Sequence, residues 1–210
     1  MLGGLAAAFR TPDLRKKILF TLGLLAIYRL GTVIPTPGVD YTAIQKCVSV
    51  VQDNSLYGLI NLFSGGALLQ LSVFALGIMP YITASIIIQL LVVVIPRLEA
   101  LKKEGQSGQA KLTQYTRYLT IALAVLQGTT ILTLARTPGR LFQGCNEELI
   151  PDQSIPLILS MIIALTAGTA LIMWFGELIT DRGVGNGMSL LIFVSIISTM
   201  PGQFLRIFQT

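Results

Sequence analysis

Apolar residues run in long blocks along this chain, separated by short polar stretches. Five blocks stand out, at 18–34, 73–95, 118–135, 155–176 and 187–200. Blocks near 20 residues are what a helix needs to cross the hydrocarbon of a bilayer. The pattern therefore predicts an all-α, polytopic membrane bundle of five spans. As one straight helix the second block would be about 35 Å long, enough to span with some tilt. The fifth is cut short before Pro201. Thr11, Pro12 and Asp13 read as a helix start: a hydroxyl cap, proline at the first helical position and an acid in the first turn. Residues 1–17 read as a cytoplasmic amphipathic segment of the mature chain, because they lack the charged n-region and cleavage pattern of a signal peptide.

Between the first two blocks lies LYGLINLFSGGALLQLS, residues 56–72, apolar enough for membrane depth but broken by Ser64, Gly65 and Gly66. Irregular backbone at that depth must be buried by protein or line a wet cavity, since lipid satisfies no free N–H or C=O group. This predicts a re-entrant element facing a pore. A helix lying on the outer surface is the alternative.

The second block, with its flanks FALGIMPYITASIIIQLLVVVIPR, carries Gly77 and Pro80 near its start and Thr83, Ser85 and Gln89 further on. On a helix Ile78, Ile82, Ser85 and Gln89 share one face. Polar groups in hydrocarbon need partners, and Gln127, Thr129 and Thr130 of the third block offer them. Helix packing alone would produce such a polar seam, and so would a gate that opens.

Composition narrows the chemistry. The chain is 53% hydrophobic and 12% charged, with mean hydropathy +0.74. A soluble domain carries about twice that charge. There is no histidine, which removes the usual general base and the commonest metal ligand. Cys47 and Cys145 form no CxxC or zinc pattern. The stretch GELITDRGVGNGMS, 176–189, lacks a complete GxGxxG, a preceding strand and a Walker lysine, so it reads as a tight inside turn with Asn186 capping the next helix. Ala164 and Gly168 have the small-xxx-small spacing of close helix packing. No enzyme, metal or cofactor is expected.

Charge sets the orientation. Ten cations fall on one side of the five blocks (Arg10, Arg15, Lys16, Lys17, Arg97, Lys102, Lys103, Lys111, Arg117 and Arg182) against four on the other, Lys46, Arg136, Arg140 and Arg206. Positive charge marks the cytoplasm, which puts the N-terminus inside. Arg29, within the first block, is expected to send its guanidinium toward the outer surface or a wet cavity. Both cysteines then fall in outside loops. Two free thiols are expected there rather than a bond, which would need Cα atoms within about 7 Å.

FSGGALLQLSVFALGIMPYITASIIIQLL, KKEGQSGQAKLTQYTRY, GELITDRGVGNGMSLLIF and YRLGTVIPTPGVD resemble, in order and spacing, the SecY family of bacterial protein-translocase channels. The family has ten spans in two pseudo-symmetric halves, and this sequence resembles the N-terminal half. The resemblance implies that 56–72 is the plug, with Leu56, Asn61, Phe63, Ser64, Gly65, Gly66 and Leu69. It implies that Ile78, Ile82 and Ile192 give this half's share of an apolar pore ring. It implies a lateral gate at Thr83, Ser85, Gln89 and Gln127. The implied function is conduction of unfolded preproteins across the bacterial cytoplasmic membrane and sideways release of signal sequences and transmembrane helices into lipid. The implied partners are SecE, SecG, SecA, the ribosome and the C-terminal half, with no nucleic-acid contact except through the ribosome. A small-solute transporter is the alternative, as is a half-channel inactive on its own.

Overall fold

The computed structural model describes residues 12–51, 65–137, 145 and 147–207, with side chains described through 48 in the first stretch and 198 in the last. The elements are α1 (Pro12–Val33), α2 (Tyr41–Val51), α3 (Met79–Val94), α4 (Pro96–Lys103), α5 (Gln106–Ala135), α6 (Ile155–Arg182) and α7 (Gly187–Ile207). Among the described residues the only β pairing is an isolated bridge between Pro35 and Ser72. The fold is all-α. The N-terminal amphipathic segment lies mostly outside the described residues, which begin at Pro12 in the first turn of α1.

Helices occupy all five apolar blocks. By length and composition α5 and α6 are each able to cross a membrane, and α3 with α4 qualifies only as a pair bent by 100°. The apolar stretch of α7, 187–198, is shorter. Lys16, Lys17 and Arg29 make α1 more charged than either long helix core.

The second block is not the single straight helix its hydropathy suggests. Residues 65–78 run through successive turns, and α3 begins only at Met79. Gly77 has φ +55, a left-handed conformation that stops a helix from propagating and that glycine adopts without steric cost. Pro80 falls in the first turn of α3, where its missing N–H breaks no hydrogen bond. The two residues that look like helix-breakers in the sequence mark a helix start. Ile95 is extended and Pro96 opens α4, so the chain bends there instead of continuing straight.

Packing follows from small residues and apolar faces. α3 lies on α5, α5 on α6, and α6 on both α7 and α1. At Gly168 the carbonyl of Val73 comes so close that a Cβ would collide with it. Two apolar clusters form the interior. One joins Leu24, Leu25 and Tyr28 of α1 to Phe74, Ile78, Ile172, Phe175, Ile179 and Leu191. The other joins Ala43, Ile44 and Cys47 of α2 to Leu69, Leu71, Leu132, Met161 and Leu165. The perimeter is apolar as well: Leu30, Val93, Leu126 and Ile155 are 69%, 79%, 64% and 83% exposed. Such a surface suits lipid or a further protein layer.

The end opposite the lysine- and arginine-rich termini is closed by short-range ties. Val73 N donates to Ile34 O and Thr36 N to Leu71 O, both at 3.0 Å, and Asp40 N donates to Leu149 O at 3.0 Å. Cys47 and Cys145 are joined in a disulfide with Cα atoms 5.3 Å apart. The expectation of two free thiols is overturned. Burial of α2 and of Cys145, Leu149 and Ile150 in one apolar cluster brings the two backbones within bonding range.

Candidate functional site

The three isoleucines that the resemblance assigns to the ring share one apolar cluster. Ile78 is 5% exposed, in the cluster with Tyr28, Phe74 and Leu191, and Ile82 and Ile192 pack against that cluster half-buried. Three elements supply them: the turn into α3, α3 itself, and α7. Around them α1 is fixed to α7 by a buried hydrogen bond between the Tyr28 hydroxyl and Ser195 Oγ, 2.7 Å. The Tyr28 ring also stacks on Phe74, centroids 5.9 Å apart.

The expected plug is described only in its later part. Leu56, Asn61, Phe63 and Ser64 lie outside the described residues. Arg29 Nη1 donates to Gly65 O at 2.9 Å. The reading of Arg29 as reaching toward the outer surface or a wet cavity gains a specific partner: its charge meets a carbonyl of the broken segment, the kind of partner irregular backbone requires. Gly66 has φ +91, and Leu69 is buried in the cluster beneath α2.

The polar face of α3 lines two clefts. The larger, about 420 Å³, is walled by Tyr81, Ile82 and Ser85 on α3, Arg117 on α5, and Glu177 and Asp181 on α6. The second, about 270 Å³, runs between Ser85 and Gln89 on α3 and Gln109, Thr113 and Thr116 on α5. Thr83 Oγ1 donates to Met79 O at 3.0 Å, and Gln89 Nε2 to Ser85 Oγ at 3.4 Å.

The expected seam between Gln89 and Gln127 does not form, and the reason is register. α3 and α5 run antiparallel. Gln89 lies level with 109–116, whereas Gly128, beside Gln127, lies level with Leu76. At 1.5 Å per residue, the eleven residues from Thr116 to Gln127 correspond to about 16 Å along the helix axis. Thr129 and Thr130 are exposed and donate to Val125 O and Leu126 O of their own helix.

An ion pair went unread in the sequence. Arg117 grips Glu177 with both forks, Nε to Oε1 and Nη2 to Oε2, each 2.8 Å. Its signal was available: a cation one residue before the third block and an acid one residue after the fourth, at the same face. The 183–186 turn is as expected, with Asn186 Oδ1 accepting from Met188 N at 3.1 Å.

A bundle of apolar helices, charged at one end and carrying a turn-rich apolar segment against its core, is the fold of a multi-pass membrane protein. The family profile of SecY matches residues 72–210. The chain is 66% identical over 204 residues to "Protein translocase subunit SecY" of Streptomyces scabiei, covering 96% of this chain and 46% of that protein. It is 65% identical over 204 residues to the protein of the same name from Streptomyces coelicolor, with the same coverage. With that of Mycobacterium bovis the identity is 58% over 206 residues, 97% of this chain and 46% of the relative. The chain belongs to the SecY family. It spans about half the length of the curated relatives it matches, 46%.

Proposed function

We propose that this chain forms one half of the pore of a Sec protein translocase, passing unfolded preproteins across the bacterial cytoplasmic membrane and letting signal and transmembrane helices leave sideways. The observation that carries this reading is the convergence of Ile78, Ile82 and Ile192 on one apolar cluster, reached directly from the turn-rich 65–78 segment. Bulky apolar side chains around a narrow waist stop ions by dewetting, yet offer no fixed hydrogen bonds that would select one peptide sequence. A ring of isoleucine therefore admits any extended chain while leaking little.

In this reading 56–72 is the plug, held at its later end by Arg29. Thr83, Ser85, Gln89 and Gln127 lie on the helices of the lateral gate. Ser85 and Gln89 line clefts and, among the described residues, their side chains bond only each other, within α3, which suits a seam completed by the C-terminal half. The N-terminus is cytoplasmic, SecE and SecG flank the pore, and SecA or the ribosome supplies the motive force. The disulfide supports this orientation independently of charge, because such bonds persist outside the cytoplasm.

The Arg117–Glu177 pair beside a cleft is the one observation in favour of a solute transporter. It lies toward the charged ends of α5 and α6, however, away from the midplane where transporter sites form. The test is translocation of a reporter preprotein into vesicles with SecA and ATP. Residues 1–210 together with the C-terminal half and SecE should transport it; residues 1–210 alone should not. Transport by the isolated chain would overturn the half-channel reading, and uptake of small solutes in its place would favour the transporter.

A further inference from the structure

Protein conduction asks nothing of the Cys47–Cys145 bond, yet the bond sits where four outer segments meet. Cys47 is on α2 and Cys145 precedes α6; both are buried, at 1% and 6% exposure. The same cluster holds Leu69 and Leu71 of the turn-rich segment and Leu132 and Ala135 at the end of α5. Around it Asp40 N reaches Leu149 O at 3.0 Å, and Lys46 pairs with Glu147 at 3.3 Å. Leu71 stands out among the described non-glycine residues, with φ +44. A left-handed leucine is costly and persists only where its surroundings over-determine it. Here the Leu71 carbonyl accepts both the amide and the hydroxyl of Thr36, while the side chain is 1% exposed beneath α2.

The geometry points to a redox latch. The Cys47–Cys145 bond is made on the outer face by thiol–disulfide exchange, and it clamps α2 and the 145–150 segment over 69–71. In doing so it fixes 69–71, the described end of the proposed plug, against the outer segments. The latch rests on the orientation and plug assignments of the preceding section. In the exchange, the thiolate of one cysteine attacks the disulfide of an extracytoplasmic oxidant protein and displaces one of its sulfurs as a thiolate. The second cysteine's thiolate then attacks the mixed disulfide, closing the Cys47–Cys145 bond and leaving the oxidant as a dithiol. The pair loses two electrons and two protons, and the oxidant gains both. Because both sulfurs are buried in the finished cap, the exchange precedes its closure.

Two measurements on the full-length protein test this. In native membranes, thiols are blocked with a maleimide under denaturing conditions, then reduced and relabelled with a heavier maleimide. Peptides bearing Cys47 and Cys145 should carry only the heavy label. Block before reduction at either residue overturns the bond. For the latch, ion leak through the assembled channel in planar bilayers is compared between protein prepared oxidised and protein prepared throughout in reductant. The reduced channel should leak about tenfold more, equivalent to roughly 1.4 kcal/mol of lost closure. A Cys47→Ala/Cys145→Ala variant should leak like the reduced form under both preparations. Equal leak from wild type in both redox states overturns the latch. Absence of any conductance or translocation in every preparation sinks the channel reading instead, and the peptide map still decides the bond.

Discussion

At Asp40 one carboxylate starts a helix. Its Oδ1 accepts from Thr42 N at 2.8 Å, Thr42 Oγ1 at 2.7 Å and Ala43 N at 3.3 Å, satisfying the orphan donors of the first turn of α2. The Thr42 hydroxyl, followed by the Thr42 and Ala43 amides, holds this carboxyl below the ordinary aspartate range. A group whose folded pKa is depressed contributes fully above its unfolded pKa, and loses that contribution as pH falls through the folded value. The acid limb of stability, roughly pH 4 and below, should therefore carry a slope from Asp40. Asp40→Ala should flatten that slope and lower stability at neutral pH. Asp40→Asn should flatten it while keeping an acceptor for the turn. Thermal unfolding in detergent across that pH range checks both, and an unchanged acid limb in Asp40→Ala would refute the assignment. Nothing in the hydropathy pattern marks Asp40, whereas the Asp-x-Thr spacing of a helix cap does.

Between elements, the contact with the clearest energetic content is the fork of Arg117 on Glu177. It joins α5 to α6 with side chains 41% and 17% exposed. Exposed pairs contribute little, but bidentate geometry and the partial burial of Glu177 favour the upper part of that range. A double-mutant cycle on Arg117→Ala and Glu177→Ala should return a coupling of about 1 kcal/mol. It is measured by denaturant unfolding in detergent micelles, and a coupling near zero would make the pair ornamental. Elements are also where the sequence was most and least legible. The apolar blocks found the helices because burial in lipid or protein demands long apolar runs. Hydropathy read 73–95 as one helix because it is blind to backbone conformation: the left-handed Gly77, the placement of Pro80 and the bend before Pro96 are invisible to it. The proposed seam from Gln89 to Gln127 failed because residue type says nothing about the register of antiparallel helices. The partner of Arg29 went unread for a related reason, since it is a backbone carbonyl that only the turn through Gly65 presents. The cysteine bond needed a distance across 98 residues, which spacing alone does not supply.

For the whole molecule, the distribution of charge and the disulfide support the proposed assignment of sides by unrelated physics. The charge rule acts during insertion, and the bond reports the redox state of the finished compartment. Single cysteines introduced at Ser107 and Glu148, both exposed, in a cysteine-free background should react with an impermeant reagent from opposite faces of the membrane. Labelling of both from one face would break the topology. The apolar perimeter has a matching consequence. With Leu30, Val93 and Ile155 so exposed, the bundle needs lipid on part of its surface. The polar clefts along Ser85 and Gln89 are poorly suited to lipid and call for protein on another part.

The ties at the outer end also impose an order in time. Ile34 and Thr36 meet Val73 and Leu71 as soon as the second block is inserted, whereas Cys47 waits for a partner 98 residues later. At about 5–20 residues per second, a ribosome takes roughly 5–20 s to deliver it. In the proposed orientation Cys47 carries a reactive thiol through that interval, and closure of the bond is paced by translation. The bond thus acts as a clock on the nascent chain, closing only after the third block and Cys145 behind it have emerged.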